Sequence, residues 1–299
     1  MHPQFASSSL AVLMALIPRA DSHAGTQNYA FQSVDAPGAD TSVASIFDST
    51  WSNDSGLIFQ QYYDSNPQYF WGHTAVLDHG AWSVIDVPGS LWCGGSHPND
   101  SGRIALTFAS SDGTVHVATW RRGEYTLLPD LPGLEMYARG INNSGQVAGF
   151  AFDAAGNEHG FVRDAQQSQL FDHPLATPGT AAIAINDAGT VIGWYDAPDG
   201  TIQSFRLAGG QYAPIQPPGS VFTFALSINS TGVIGGAYLD GDFVAHGFLL
   251  RKGTYTTVEF PGAFSTKIDS VNDQGGIAGG YIDFDGTAHG FVATPLQGN

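Results

Sequence analysis

With Cys93 as its only cysteine, the chain cannot form an intrachain disulfide in any compartment. Basic residues are scarce too: 10 lysines and arginines face 27 aspartates and glutamates, a formal net charge of −17. A surface of that sign repels nucleic acid and anionic membranes, which removes both as partners. The apolar run Leu10 to Ile17 is too short to span a bilayer. Phosphate loops, dinucleotide fingerprints and Gly-x-Ser-x-Gly elbows are missing as well. Stability must therefore come from packing, and function from something other than those common nucleotide and acyl-transfer motifs.

The same short run has the length of a signal-peptide core, and Ser22-His23-Ala24 places small residues at −3 and −1 of a cleavage site. Residues 1–24 read as a signal peptide and 25–299 as one domain, secreted or periplasmic. No cysteine stands at the cleavage point to carry a lipid.

What the chain has in quantity is a repeat. Asn-x-x-Gly-x-Val/Ile starts at Asn53, Asn99, Asn142, Asn186, Asn229 and Asn272, at spacings of 46, 43, 44, 43 and 43 residues. A period near 40 to 50 residues built of short strands marks a β-propeller with one four-stranded blade per repeat. The unit 180–219 shows the plan: strand A over 181–185, a turn at Asn186 to Gly189, strand B over 191–195, strand C over 203–207 and strand D over 212–215. Gly193 marks a close approach by a neighbouring sheet. Pro-Gly closes each unit, at Pro37, Pro88, Pro132, Pro178, Pro218 and Pro261. Six turns and six crossings predict an all-β, six-bladed β-propeller.

The last unit ends after strand C, at His289-Gly290-Phe291-Val292, while Tyr29 to Gly38 parallels the strand D segment Tyr255 to Gly262. The N-terminal strand is therefore expected to complete the sixth blade and remove the open edge. Four Asn turns also fit the glycosylation sequon and read as turn chemistry.

The combination of Asn-x-x-Gly-x-Val-x-Gly with His159-Gly160-Phe161, His246-Gly247-Phe248 and His289-Gly290-Phe291 resembles the bacterial extracellular repeat family named for its His-Ala-Phe motif (HAF repeats). Gly replaces the Ala here. Blades one, two and four depart further, with His73-Thr74-Ala75, His116-Val117-Ala118 and Gln203-Ser204-Phe205. The resemblance spans the mature chain and implies secretion and a repeat fold, without a chemistry that transfers residue by residue.

Repeated histidines, at 73, 116, 159, 246 and 289, suit a bond within each blade better than a shared metal, since equivalent residues lie a blade apart. Acidic B–C turns, such as Asp240-Gly241-Asp242 and Asp283-Phe284-Asp285-Gly286, hold part of a calcium ligand set, yet Asp-Gly is also ordinary hairpin chemistry, so no cofactor is assigned. These turns share a face with the D–A crossings. Arg121, Arg122, Arg163, Arg251 and Lys252 fall near C–D turns, which predicts an acidic crossing face and a basic opposite face.

Strand A should line the channel with small or aliphatic residues, and several positions break that rule. They are Asp48, Trp92, His97, Tyr137, Arg139, Phe224, Lys267 and Asp269, with Cys93 a weaker candidate. Clustered departures from a repeat at one mouth point to a ligand site. The expectation is a monomer that binds a polar small molecule or glycan there, Trp92, Tyr137 and Phe224 stacking while Asp48, Arg139 and Asp269 orient. Two alternatives stand beside it: a hydrolase or polysaccharide lyase using His97 or Tyr137 as base with Arg139 or Lys267 neutralising a carboxylate, and a protein-docking disc. A further alternative is that Arg139 or Lys267 pairs with Asp48 or Asp269 and plugs the channel.

Overall fold

The computed structural model describes residues 29–36, 49–62, 73–164, 166–177 and 179–296. The expected signal peptide, Pro37-Gly38 and Asp48 lie outside the described residues. Six antiparallel four-stranded sheets follow one another around an axis, a six-bladed β-propeller. Their A strands are Ser49–Ser52, Trp92–Gly95, Glu135–Ile141, Thr180–Ile185, Phe222–Ile228 and Ser265–Val271. In the fourth blade, strands B, C and D span Val191–Asp196, Ile202–Ala208 and Gln211–Ile215, within a residue of the sequence reading.

The first described strand, Tyr29–Ser33, pairs antiparallel with the C strand of the sixth blade, Ala288–Pro295, from Tyr29 opposite Pro295 to Ser33 opposite Phe291. Phe31 packs at 5.4 Å from both Phe260 and Phe291, so the closing strand is held by side chains as well as by its ladder.

Each His-Gly-Phe triplet serves two layers. Phe161, Phe248 and Phe291, and the matching Phe205 of the fourth blade, are fully buried between sheets. The histidines point to their own blade's crossing, as expected. His159 Nδ1 lies 2.8 Å from Asp172, His246 Nδ1 2.7 Å from Glu259 and His289 Nδ1 3.1 Å from Asp35, and the matching pairs His73–Asp86 and His116–Asp130 complete the set. Asp172 and its counterparts sit at the end of strand D, so each pair clamps strand C to the crossing.

The repeat Asn does more than shape a turn. In the third blade, Asn142 Oδ1 accepts from Gln146 N at 2.9 Å and Ser144 Oγ at 2.8 Å, while Nδ2 donates to Asn186 O of the next blade at 3.1 Å. The same link joins Asn53 to Asn99, Asn99 to Asn142, Asn186 to Asn229 and Asn229 to Asn272, at 3.0 to 3.1 Å. These side chains belt neighbouring blades around the axis, and burial of Asn53, Asn99, Asn142 and Asn229 leaves no amide free for a glycan.

One reading of the glycines needs correction. Strand A carries a bulge in blades three to six, for example between Ala138 and Gly140, which drives its own carbonyl onto strand B. A Cβ at Gly193 would meet Ala181 O at 1.9 Å, and one at Gly149 would meet Tyr137 O at 2.0 Å. The close approach thus comes from the same blade, not from a neighbouring sheet.

Candidate ligand site at the channel mouth

Strand A runs from the crossing face to the turn face, so counting back from each repeat Asn gives depth along the axis. Five residues back stand Gly94, Tyr137, Ala181, Phe224 and Lys267; three back stand Thr50, Ser96, Arg139, Ile183, Leu226 and Asp269. The first set lies nearer the crossing face and the second near mid-depth.

Aromatic rings gather at the crossing-face end in two groups. Trp92 and Tyr137 lie parallel with centroids 6.4 Å apart, Tyr137 continues the stack to Phe150 at 5.1 Å, and Phe152 meets both edge-on at about 6 Å. On the far side Trp194 meets Phe224 edge-on at 6.0 Å. All but Tyr137 are only partly buried. Gln61, Trp92, Tyr137 and Arg139 line a narrow cleft beside the first group. Trp92, Tyr137 and Phe224 therefore stand at one end of the channel, Arg139 lies beside Trp92 and Tyr137 from mid-depth, and Phe150, Phe152 and Trp194 join the rings from strand B.

His97 is placed elsewhere. Two residues before Asn99, it sits at the turn-face end, with Nε2 2.6 Å from Asp269 O and Nδ1 3.1 Å from Arg139 O. The shorter contact assigns the proton to Nε2, donating to Asp269 O across the ring axis. Burial pushes this imidazole down to about 4, and the Arg139 and Lys267 charges add to the shift. Lys267 Nζ bonds Asp269 Oδ1 at 3.1 Å, and Asp269 Oδ2 accepts from Thr50 N at 3.1 Å. Asp269 is 2% exposed, its carboxyl raised by burial. His97 and Asp269 are therefore bonded to each other between mid-depth and the turn face, away from the aromatic groups.

Neither proposed base nor thiol is poised for attack. The Tyr137 hydroxyl donates to Glu135, and burial together with that carboxylate raises its pKa. Cys93 is 1% exposed and burial pushes its thiol up to about 12.

On the turn face an open cup is lined by the six repeat asparagines and by Asp100, Asp187 and Asp273. This corrects the expected charge division. Arg121 Nε donates to Ser101 O at 3.1 Å, so the C–D bases do share this face, but acids ring its centre. Asp54, Asp100 and Asp273 offer oxygens within 4.8 Å of one another. Those carboxylates already brace neighbouring turns: Asp54 Oδ1 accepts from Asp273 N at 2.8 Å and Asp273 Oδ1 from Ser230 N at 2.9 Å. The B–C turns use their acids similarly, Asp240 Oδ1 taking Asp242 N and Val244 N at 2.9 Å each.

Two acids beside the crossing from blade three to blade four escaped the reading of strand A. Glu158 opens strand C of the third blade and Asp196 ends strand B of the fourth. A Cβ placed on Gly179 would lie 2.8 Å from Asp196 Oδ2 and 3.3 Å from Glu158 Oε2, so both carboxyls pack close against this glycine. Burial, then the Asp196 charge, pushes Glu158 up to about 7 against the pull of Arg139, and burial raises Asp196. A signal did exist. The equivalents of Glu158 are Gly72, Val115, Ile202, Ala245 and Ala288, and those of Asp196 are Tyr63, Ala109, Phe152, Leu239 and Ile282. An acid in either row is as much a break in the repeat as Arg139.

No family model matches the chain, and no curated protein does. Solved structures match in fold. A protein assigned as TolB from Agrobacterium tumefaciens superposes with a TM-score of 0.57 at 12% identity, covering 83% of this chain and 90% of that one. The SapL1 lectin, solved with alpha-methyl fucoside, gives 0.52 at 12% identity over 81% of this chain and 90% of its own. The propeller domain of the Trilobed protease from Pyrococcus furiosus gives 0.51 at 7% identity, covering 83% and 96%.

Proposed function

We propose that this chain is an exported, monomeric propeller that binds a polar small molecule or glycan at the crossing-face mouth. One observation carries the reading: Trp92 and Tyr137 of blades two and three stand beside Gln61 and Arg139 at the crossing-face end, with Trp194 and Phe224 of blades four and five across from them. Aromatic faces take the C–H faces of a sugar while the polar groups bond its hydroxyls, the usual division of labour in such sites. A lectin solved with a fucoside has the same fold, so this frame is compatible with sugar binding. Export fits the sequence of residues 1–24, and among the described residues no helix is long and apolar enough to cross a membrane.

Calorimetric titration of residues 25–299 with methyl glycosides tests the reading. Saturable binding that weakens at least tenfold in Trp92→Ala and Phe224→Ala supports it; titrations indistinguishable between wild type and both variants would overturn it.

A second reading rests on a separate observation. Phe243 and Phe284, 46% and 60% exposed, stand on B–C turns of the same face beside Phe222 and Phe264. They are suited to docking a protein on the rim of blades five and six, and Phe243→Ser with Phe284→Ser would remove such binding without touching the mouth.

A further inference from the structure

We infer that the rim of blades five and six docks a partner protein through a segment in which arginines are interspersed with apolar residues; this rests on the docking reading above and not on the sugar site. One B–C turn does without the glycine that its equivalents use. In blades two, three, four and six the turn residue is Gly113, Gly156, Gly200 or Gly286, with φ between 81° and 91°. Blade five places Phe243 there at φ 61°. Phe243 N donates to Asp240 O at 3.0 Å, as Gly286 N does to Asp283 O at 3.2 Å, so the turn is the same and only the residue differs.

A bulky side chain in the left-handed region is strained, and such strain persists where function holds it. A glycine is close at hand: Gly241 stands where blade six carries Phe284, in Asp240-Gly241-Asp242-Phe243 against Asp283-Phe284-Asp285-Gly286. The Phe243 ring meets Phe222 at 6.5 Å and stays 46% exposed, so the strain does little for the core. Val221 and Phe284 are exposed on the same two blades, and Phe264 is half-buried beside Phe284. Exposed aromatics gathered on one rim are the usual anchors of a protein interface.

Charge decides what covers them. The basic residues of blades five and six are Arg251, Lys252 and Lys267. Arg251 and Lys252 belong to the C–D turn on the opposite face, where Arg251 Nη2 lies 4.0 Å from a Cβ placed on Gly275, and Lys267 bonds Asp269 inside the channel. On the rim itself His246 pairs with Asp240 and His289 lies 3.6 Å from Asp283. Asp242 and Asp285 remain, both exposed and with no basic partner among the described residues, each next in sequence to an exposed phenylalanine. Hydrogen bonds from Thr287 hold the Asp285 carboxyl below its usual range and keep it charged.

A guanidinium matches that pairing. It lies flat on an aromatic face and donates from its edge to a carboxylate, so one arginine can engage Phe243 with Asp242 and another Phe284 with Asp285. Apolar residues between them cover Phe222, Val221 and Phe264. An acidic segment meets repulsion on the same surface.

The test selects a displayed library of random peptides on the 25–299 protein, with counter-selection on the double variant Phe243→Gly, Phe284→Ser. That variant keeps every charge and restores the turn glycine, and thermal melts confirm that it folds. Enriched peptides are then titrated by fluorescence anisotropy into wild type, the phenylalanine variant and Asp242→Asn, Asp285→Asn. Arginine docking predicts peptides with arginines and apolar residues interspersed, binding at least tenfold weaker in either double variant and weakening as salt rises. Neutral or acidic peptides that still need the phenylalanines overturn the arginine inference and leave the docking reading standing. Arginine peptides held equally by the phenylalanine variant reflect general attraction to an acidic protein and overturn both. Absence of enrichment over the counter-selection overturns both as well.

Discussion

His97 and Glu158 are partly buried titratable groups whose shifts have opposite consequences for stability. The neutral His97 has a folded pKa near 4, below its ordinary value of 6.5. Between those values the unfolded chain binds a proton that the folded one refuses, so stability falls as pH drops through that window. The shift sets a ceiling of about 3 kcal/mol on this loss, and partial exposure of the ring brings the expected value nearer 2. His97→Asn should flatten the acid limb of a denaturant-midpoint profile between pH 4 and 6.5, a change a pH series of urea melts would reveal.

Glu158 behaves the other way. Its carboxyl is pushed from 4.5 to about 7, so the folded chain holds a proton the unfolded one has released, and stability declines as pH rises through that range. Glu158→Gln should therefore match wild type near pH 4.5 and exceed it by about 1 to 2 kcal/mol at pH 8, measured by the same melts. Tyr137, Arg139 and Phe224 were visible in the sequence because strand A is the part of the repeat whose location is known in advance. Glu158 and Asp196 broke their rows as plainly but sit on strands C and B, where the approach of both carboxyls to Gly179 depends on how neighbouring blades pack.

Among the strands and turns, the Asn turn was legible as a turn and not as a belt. A sequence shows that Asn and Gly favour a tight reversal, but the partner of Nδ2 lies 43 or so residues away in the next blade. Asn142→Ala should remove the turn bonds and the link to Asn186 O together, costing about 2 to 4 kcal/mol. Asp187→Asn, on the exposed rim of the same turns, should cost less than about 1 kcal/mol. Paired chemical denaturation of the two variants separates the belt from ordinary turn propensity. Four of the His–acid clamps, by contrast, are legible because His and its acid sit 13 or 14 residues apart within one blade, and the fifth, His289 with Asp35, follows from ring closure.

For the whole ring, period and punctuation were enough. Six Asn turns, six Pro-Gly crossings and one missing strand D fixed blade number and closure, since a closed ring of sheets permits few other arrangements. The charge layout was not recoverable: acids at the A–B turns were treated as turn residues, and topology gathers them around one axis. Closure carries its own prediction. Removing residues up to Val34 would expose the C strand of the sixth blade along its whole edge and strip Phe31 from Phe260 and Phe291. The shortened chain should melt well below the 25–299 protein and self-associate through that edge, which size-exclusion chromatography with light scattering would detect.

The central claim is that ligands sit at the crossing-face mouth, and the tryptophans report on it directly. Trp92 and Trp194 stand at that mouth, whereas Trp51 and Trp120 are buried within blades one and two. A proton–nitrogen spectrum of the indole groups, recorded through a titration with methyl glycosides, follows each of them at once. The account predicts saturable shifts at Trp92 and Trp194 with Trp51 and Trp120 still. Unmoved mouth signals under saturating sugar, or shifts confined to the other indoles, would contradict it.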